Sequence, residues 1–347
     1  MSARATVAAM TAYTLELREA DIKLNQNESP YDFPLKKEAL ARVADRAWNL
    51  YPDFESTALR TALANAYGYG PENILVGNGS NELLAAAIGA FVGPGTPVVF
   101  ARPTFALYEK LVTIAGGLAV PIDLDPATGL LPLDAMLRTL STLRGAVAIV
   151  CSPNNPTGGV LPENGLTELL ASGATVLFDR AYGDFAKDAL PPLHDNLVTF
   201  STFSKAWGLA ALRVGWLVST ASTCREIRKV KLPYSLNVVS EAIAELALER
   251  RDIRDANVAR TIAERERVLA AMRAIPGVTA YPSAANFIAF RAPVRFEDFL
   301  ASGILIRKYA DFLRVSIGTR EENDRFLSVI LSRADGEGPR AIREALA

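Results

Sequence analysis

Between about Asn73 and Ser219, short apolar runs (NILVG, PVVFAR, LAVPIDL, AVAIVCSP, TVLFD, LVTFSTF and RVGWLVS) alternate with stretches of helical period. Polar residues do not alternate with apolar ones inside these runs, so both faces of each strand are expected to be covered. The pattern predicts an α/β architecture, a mainly parallel seven-stranded sheet with helices on both sides. After Pro233 come long helical stretches, VVSEAIAELALERRDIRDANVARTIAERERVLAAMRAI, and then short strands in ANFIAF and FLRVSIG. A second, smaller α+β domain is therefore expected from residues 238–347 together with 22–45. The large domain would cover 46–237 and an amino-terminal arm 1–21.

Composition narrows the chemistry. The 347 residues exceed the usual single core, half of them are hydrophobic, and the net charge of −1 leaves no basic footprint for nucleic acid. No apolar run approaches the roughly 20 residues of a membrane helix, and the first residues lack the continuous apolar core of a signal peptide. The reading is a cytosolic protein with no membrane partner. Cys151 and Cys224 are the only cysteines and His194 the only histidine. A disulfide framework, a histidine triad and a multi-histidine metal site are thus all disfavoured, and no metal is expected. Lysine, arginine, aspartate and tyrosine must carry any chemistry, or a cofactor must.

In an open α/β sheet, ligands lie beyond the carboxyl ends of the strands. Polar residues that fit one another occur at such positions. In NILVGNGSNELL a strand runs into glycines and a helix start near Ser80, whose free N–H groups and dipole suit an anion, although neither the dinucleotide fingerprint nor the P-loop pattern is met. CSPNNPTGG is a rigid turn carrying Asn154 and Asn155. In TVLFDRAYGDF, Asp179 ends an apolar strand, a costly position without a cationic or hydrogen-bonding partner. In TFSKAWGLAALRVGW, the small and apolar neighbours of Lys205 point its ammonium toward a partly desolvated pocket where its pKa falls, which makes it a candidate nucleophile toward a carbonyl. FLRVSIGTREENDRF places Arg314 in a strand of the smaller domain. Pyridoxal phosphate would use all these groups at once: an aldehyde for lysine, a phosphate for a helix start and arginine, a ring nitrogen for a carboxylate, and a phenolic oxygen for an amide and a tyrosine.

These segments, with KLNQNESPYDFP, YPDFESTALRTALA, RPTFALYEK and LPYSLNVVS in the same order and spacing, resemble the fold-type I, class I/II aminotransferases, and among them the histidinol-phosphate aminotransferase family. The resemblance covers nearly the whole chain. It implies a pyridoxal phosphate enzyme in which Lys205 forms the Schiff base and shuttles a proton. Asp179 would keep the pyridine nitrogen protonated, Asn155 and Tyr182 would bond the phenolic oxygen, and Phe105 would stack on the ring. Ser80, Asn81, Ser204 and Arg213 would bind the phosphate, joined by Tyr51 from a neighbouring subunit, so the resemblance implies a homodimer with shared active sites.

For the substrate, the resemblance implies Arg314 and Arg307 on an anionic group, with Tyr13 from the partner chain and Asn25 nearby. The implied reaction interconverts L-histidinol phosphate plus 2-oxoglutarate with imidazole-acetol phosphate plus L-glutamate by a ping-pong route. Threonine-phosphate decarboxylase, an aromatic or broad-specificity aminotransferase, and a non-catalytic regulator on the same scaffold are the alternatives. The chain departs from the family pattern at Arg180, where glutamate is usual and where an effect on the local surface is expected. It also departs in LNQNESPYDFP and in a short connection between ILIRKYADF and LRVSIG.

Overall fold

A computed structural model describes residues 2–12 and 18–333. After the short strand β1 (Ile22–Lys23), the seven apolar runs become β2 (Ile74–Asn78), β3 (Pro97–Arg102), β4 (Leu118–Asp123), β5 (Val147–Cys151), β6 (Thr175–Asp179), β7 (Leu197–Thr202) and β8 (Val214–Val218). They form one sheet in the order β2-β8-β7-β6-β5-β3-β4. Only β8 runs antiparallel to its neighbours β2 and β7; every other pair is parallel.

Burial follows position in the sheet. Every residue of β5 and β8 is buried. Strand β4 is half-exposed along its length, against the expectation that both faces of every strand are covered. It forms the edge of the sheet, where Pro121, which lacks a ladder N–H, is tolerated. Alternate residues enter different cores. Val98, Phe100 and Ile149 pack with the helices Ser80–Phe91, Leu107–Ala115 and Ala221–Arg228, while Val99, Ala148 and Val176 pack with Leu133–Thr142 and Gly165–Ala171.

The helices Lys36–Ala44, Thr57–Tyr67 and Val238–Glu249 share a further core with the β2 and β8 side chains Ile74, Val76 and Trp216. Strands β9 (Thr279–Ala280), β10 (Phe287–Arg291), β11 (Ile304–Leu305), β12 (Arg307–Lys308) and β13 (Leu313–Ser316) follow the 23-residue helix Arg251–Arg273. A second, antiparallel sheet has the order β12-β13-β10-β9, and β1 pairs in parallel with β11. Phe290, Phe299 and Phe326 centre its core. The long helix contributes Val258 to the core beside the large sheet and Val268, Leu269 and Met272 to the smaller one, tying the two together. Among the described residues, no helix is long and apolar enough to cross a membrane.

Candidate active site

The polar residues expected from the sequence stand at the carboxyl ends of β2, β5, β6 and β7, where an open α/β sheet binds its ligands. At the end of β2, Gly79 takes φ +79° and opens the helix Ser80–Phe91 with no side-chain cap, which leaves its first N–H groups for an anion. Ser80 is half-buried at this helix start and Asn81 is exposed beside it. Two glycines make the cradle. A Cβ on Gly79 would lie 2.5 Å from Nη2 of Arg213, and one on Gly215 would lie 2.1 Å from the Ser80 nitrogen. Arg213 itself holds φ +56°, an uncommon conformation for a side chain of this size. Its Nη1 donates to Ser204 Oγ at 3.2 Å and to the Ala210 carbonyl at 3.1 Å. A guanidinium, a hydroxyl and a helix start therefore converge on one place, a donor set that suits a phosphate.

At the end of β6, Asp179 is buried, with no cationic partner among the described residues. Its Oδ2 accepts from the Tyr108 hydroxyl at 2.8 Å and its Oδ1 from the Ala181 amide at 2.9 Å. Burial still raises its pKa above the usual carboxylate range, against the pull of those two donors. A ring N–H⁺ would provide the charge partner this carboxylate lacks. Phe105 sits edge-on to Tyr108 with centroids 5.6 Å apart, so both expected ring contacts rest on a tyrosine that the sequence reading did not single out. Its signal was the i, i+3 spacing from Phe105.

Lys205 is half-buried, and its Nζ donates to the Gln26 carbonyl at 2.8 Å and lies 5.9 Å from the centroid of the Tyr182 ring. Desolvation, joined by the positive fields of Arg314 and Arg213 and opposed by Glu28, lowers its pKa to about 8. The neutral amine is thus accessible near physiological pH, as a nucleophile requires. Tyr182 is buried; its hydroxyl accepts from Asn27 Nδ2 at 2.9 Å, and its ring stands edge-on to Phe287.

Arg314 is buried on β13. It donates through Nη1 to Asn155 Oδ1 and through Nη2 to the Asn25 carbonyl at 2.7 Å, while its Nε has no partner among the described residues. Asn25 Oδ1 is likewise buried and has no partner among the described residues. Asn155 thus faces Arg314, whereas the amide at Tyr182 is Asn27. Arg307 stands directly opposite Arg314 in the β12–β13 register, so both cations project from the same face of the sheet.

One expected residue stands apart from this cluster. Tyr51 is 82% exposed and stacks on Tyr234 at 4.7 Å, and among the described residues it makes no hydrogen bond or ring contact with the groups above. Tyr13 lies outside the described residues. Arg180, where a surface effect was expected, turns inward instead: it is buried and its Nη2 donates to the Asp188 carbonyl at 2.8 Å. Burial lowers its pKa while Asp184 and Asp188 hold it up.

The sequence matches the family described as aminotransferase class I and II over residues 19–330. The histidinol-phosphate aminotransferase of Thermococcus gammatolerans is 35% identical over 325 residues, covering 91% of this chain and 93% of that protein. That of Chromobacterium violaceum is 35% identical over 347 residues, covering 94% and 96%. Among solved structures, the histidinol-phosphate aminotransferase of Sinorhizobium meliloti, in complex with pyridoxal-5'-phosphate, superimposes with a TM-score of 0.83 at 25% identity, over 98% of this chain and 97% of that one. The fold is shared more widely: L-threonine-O-3-phosphate decarboxylase from Porphyromonas gingivalis gives a TM-score of 0.76 at 19% identity, over 90% of this chain and 98% of that one.

Proposed function

The chain belongs to the class I and II aminotransferase family and is a pyridoxal phosphate enzyme, and from that premise we propose that it transfers the amino group of L-histidinol phosphate to 2-oxoglutarate. The products are imidazole-acetol phosphate and L-glutamate. The observation that carries the substrate reading is the Arg307–Arg314 cross-strand pair. Like charges directly opposite destabilise a sheet unless an anion lies between them, and a phosphate dianion uses two cations better than a carboxylate does. The relatives named for this reaction support the same reading.

Pyridoxal phosphate, when bound, supplies an aldehyde for an amine and a ring that accepts electrons from the substrate's α-carbon. The protein's own groups divide the remaining work. The cradle of Ser80, Asn81, Ser204 and Arg213 would hold the phosphate end. Asp179, fixed by Tyr108, would accept the ring N–H, and Phe105 would cover the ring face. Tyr182 and Asn155 would bond the phenolic oxygen. Lys205 would be the covalent anchor and would then carry a proton from the substrate's α-carbon to the cofactor's former aldehyde carbon, a task suited to an amine whose pKa is lowered to about 8. Arg314, Arg307, Asn25 and Tyr13 would bind the substrate's anionic end.

The proposal includes a homodimer. Trp48, Leu50, Tyr51, Phe54, Leu232 and Tyr234 are exposed large hydrophobic residues, and Tyr234 stacks on Tyr51 and stands edge-on to Phe54, an apolar surface that a partner would cover. Tyr51, 82% exposed, would reach a partner's phosphate site. A cytosolic location is part of the same reading, supported by two buried free thiols, Cys151 and Cys224.

The test is a half-reaction. Holoenzyme mixed with L-histidinol phosphate and no keto acid should lose its cofactor's visible absorbance band, and 2-oxoglutarate should restore it. An unmoved band, together with carbon dioxide release from L-threonine O-3-phosphate or bleaching by an aromatic amino acid, would keep the cofactor and overturn the substrate.

A further inference from the structure

We propose that Tyr309 binds substrate directly, its hydroxyl donating to a phosphate oxygen held by Arg314 and Arg307. The inference rests on the phosphorylated-donor reading above and adds a residue to it. Tyr309 opens the turn that closes the β12–β13 hairpin, where its N–H donates to the Phe312 carbonyl at 2.9 Å. Its ring stacks on Phe312 with centroids 4.8 Å apart and planes 10° apart, and Phe312 in turn stands edge-on to Tyr281 at 6.2 Å. The side chain is therefore held before any ligand arrives, which lowers the entropic cost of using it.

The bonds already made at the hydroxyl set the direction of a new one. Arg314 Nη1 donates to the Tyr309 oxygen at 3.2 Å. A guanidinium has no acceptor, so this bond spends a lone pair of the phenol and leaves its proton unused. No acceptor among the described residues takes that proton. Arg314 Nε–H is a second unspent donor, in a side chain only 4% exposed. Arg307, opposite Arg314, forms no ion pair among the described residues. Donors from three side chains on one short hairpin thus remain without acceptors. A carboxylate fills the two-pronged fork of one guanidinium, whereas the three terminal oxygens of a phosphate monoester leave one for a tyrosine.

The experiment compares wild-type holoenzyme with Tyr309→Phe, which keeps the ring stack and removes only the hydroxyl. The KM for L-histidinol phosphate and the inhibition constant of inorganic phosphate against L-glutamate should each rise about tenfold, as for the loss of one hydrogen bond to a charged group. The kcat and the KM for L-glutamate should change less than twofold. Unchanged constants for both phosphate compounds overturn the proposal. An equal rise in the KM for L-glutamate also overturns it, because it marks a displaced Arg314 and a purely positioning hydroxyl. If wild-type enzyme does not turn over L-histidinol phosphate, the substrate reading falls, yet the inorganic phosphate comparison still decides the role of Tyr309. Failure of phosphate to compete with L-glutamate in the wild type removes the anion site and Tyr309 with it.

Discussion

The side-chain amide of Asn27 donates to the phenol of Tyr182 at 2.9 Å. It belongs to a strap in which three consecutive residues each engage a different group of the site: Asn25 accepts from Arg314, Gln26 accepts from Lys205, and Asn27 donates to Tyr182. Asn27 is also tied to the smaller sheet, because its backbone N–H donates to Ser316 Oγ at 2.8 Å and its carbonyl accepts from Asn286 Nδ2 at 3.1 Å. Receiving a hydrogen bond from Asn27 leaves the Tyr182 proton free for a phenolic oxygen. Removing the amide should therefore disturb stability and cofactor binding together.

Asn27 holds φ +55°, so two substitutions separate its roles. Asn27→Gly keeps the backbone conformation and loses the side-chain bonds, leaving the buried Tyr182 hydroxyl unpaired at about 1–3 kcal/mol. Asn27→Ala adds about 1–2 kcal/mol for the left-handed conformation. Urea unfolding should rank wild type above Gly and Gly above Ala. An Ala variant as stable as the Gly variant would refute the backbone contribution.

Lys205→Met should abolish turnover, and it should also change how stability depends on pH in cofactor-free protein. The folded site lowers the lysine pKa from 10.5 to about 8. Between those values the unfolded chain binds more protons, so the wild type gains stability as pH rises across that window, whereas a neutral methionine does not. The difference in unfolding free energy between variant and wild type should shrink from pH 7 to pH 10. Parallel curves would show that the folded site leaves lysine basicity unchanged.

Tyr108→Phe should destabilise more at pH 7 than at pH 4, by about 1–3 kcal/mol at the higher pH. The folded pKa of Asp179 already lies above its unfolded value. Such a group lowers stability as pH rises through the interval between the two, and loss of a donor to the carboxylate raises the folded pKa further. Unfolding at both pH values reads the difference, and equal losses would exclude the carboxylate as the cause. Looser cofactor binding should accompany it.

Gly215→Ala should close the phosphate cradle. Its Cβ would lie 2.1 Å from the Ser80 nitrogen, in backbone that cannot rotate away, so a cost of about 1–3 kcal/mol and a weaker cofactor titration are expected. Unchanged pyridoxal phosphate affinity would mean that the helix start does not hold the phosphate.

Arg307→Ala should leave stability unchanged or slightly higher, because it removes a like charge from the cross-strand position opposite Arg314. It should raise the KM for L-histidinol phosphate tenfold or more while barely moving that for L-glutamate. Steady-state kinetics beside a thermal melt checks both, and equal KM losses would remove Arg307 from phosphate binding.

Much of this was present in the sequence, because it depends on local order. Continuous apolar runs predicted the seven strands, since a strand covered on both faces tolerates few polar residues. Strand ends then marked Ser80, Asp179 and Lys205 as neighbours, because parallel strands deliver their carboxyl ends to one edge. Edge position, however, is a property of the assembled sheet, and in LAVPIDL only Pro121, which lacks a ladder N–H, pointed to the half-exposed edge that β4 occupies.

Which side chain meets which was decided by tertiary structure alone. The Asn27–Tyr182 bond spans 155 positions and the contact of Arg314 with the Asn25 carbonyl spans 289. Neither residue type nor spacing encodes such a meeting; the β12–β13 hairpin and the strap across it create it. Arg180 illustrates the same division. As a residue type it reads as surface, and only the fold turned it inward to the Asp188 carbonyl, because a buried guanidinium is retained where fixed acceptors meet it.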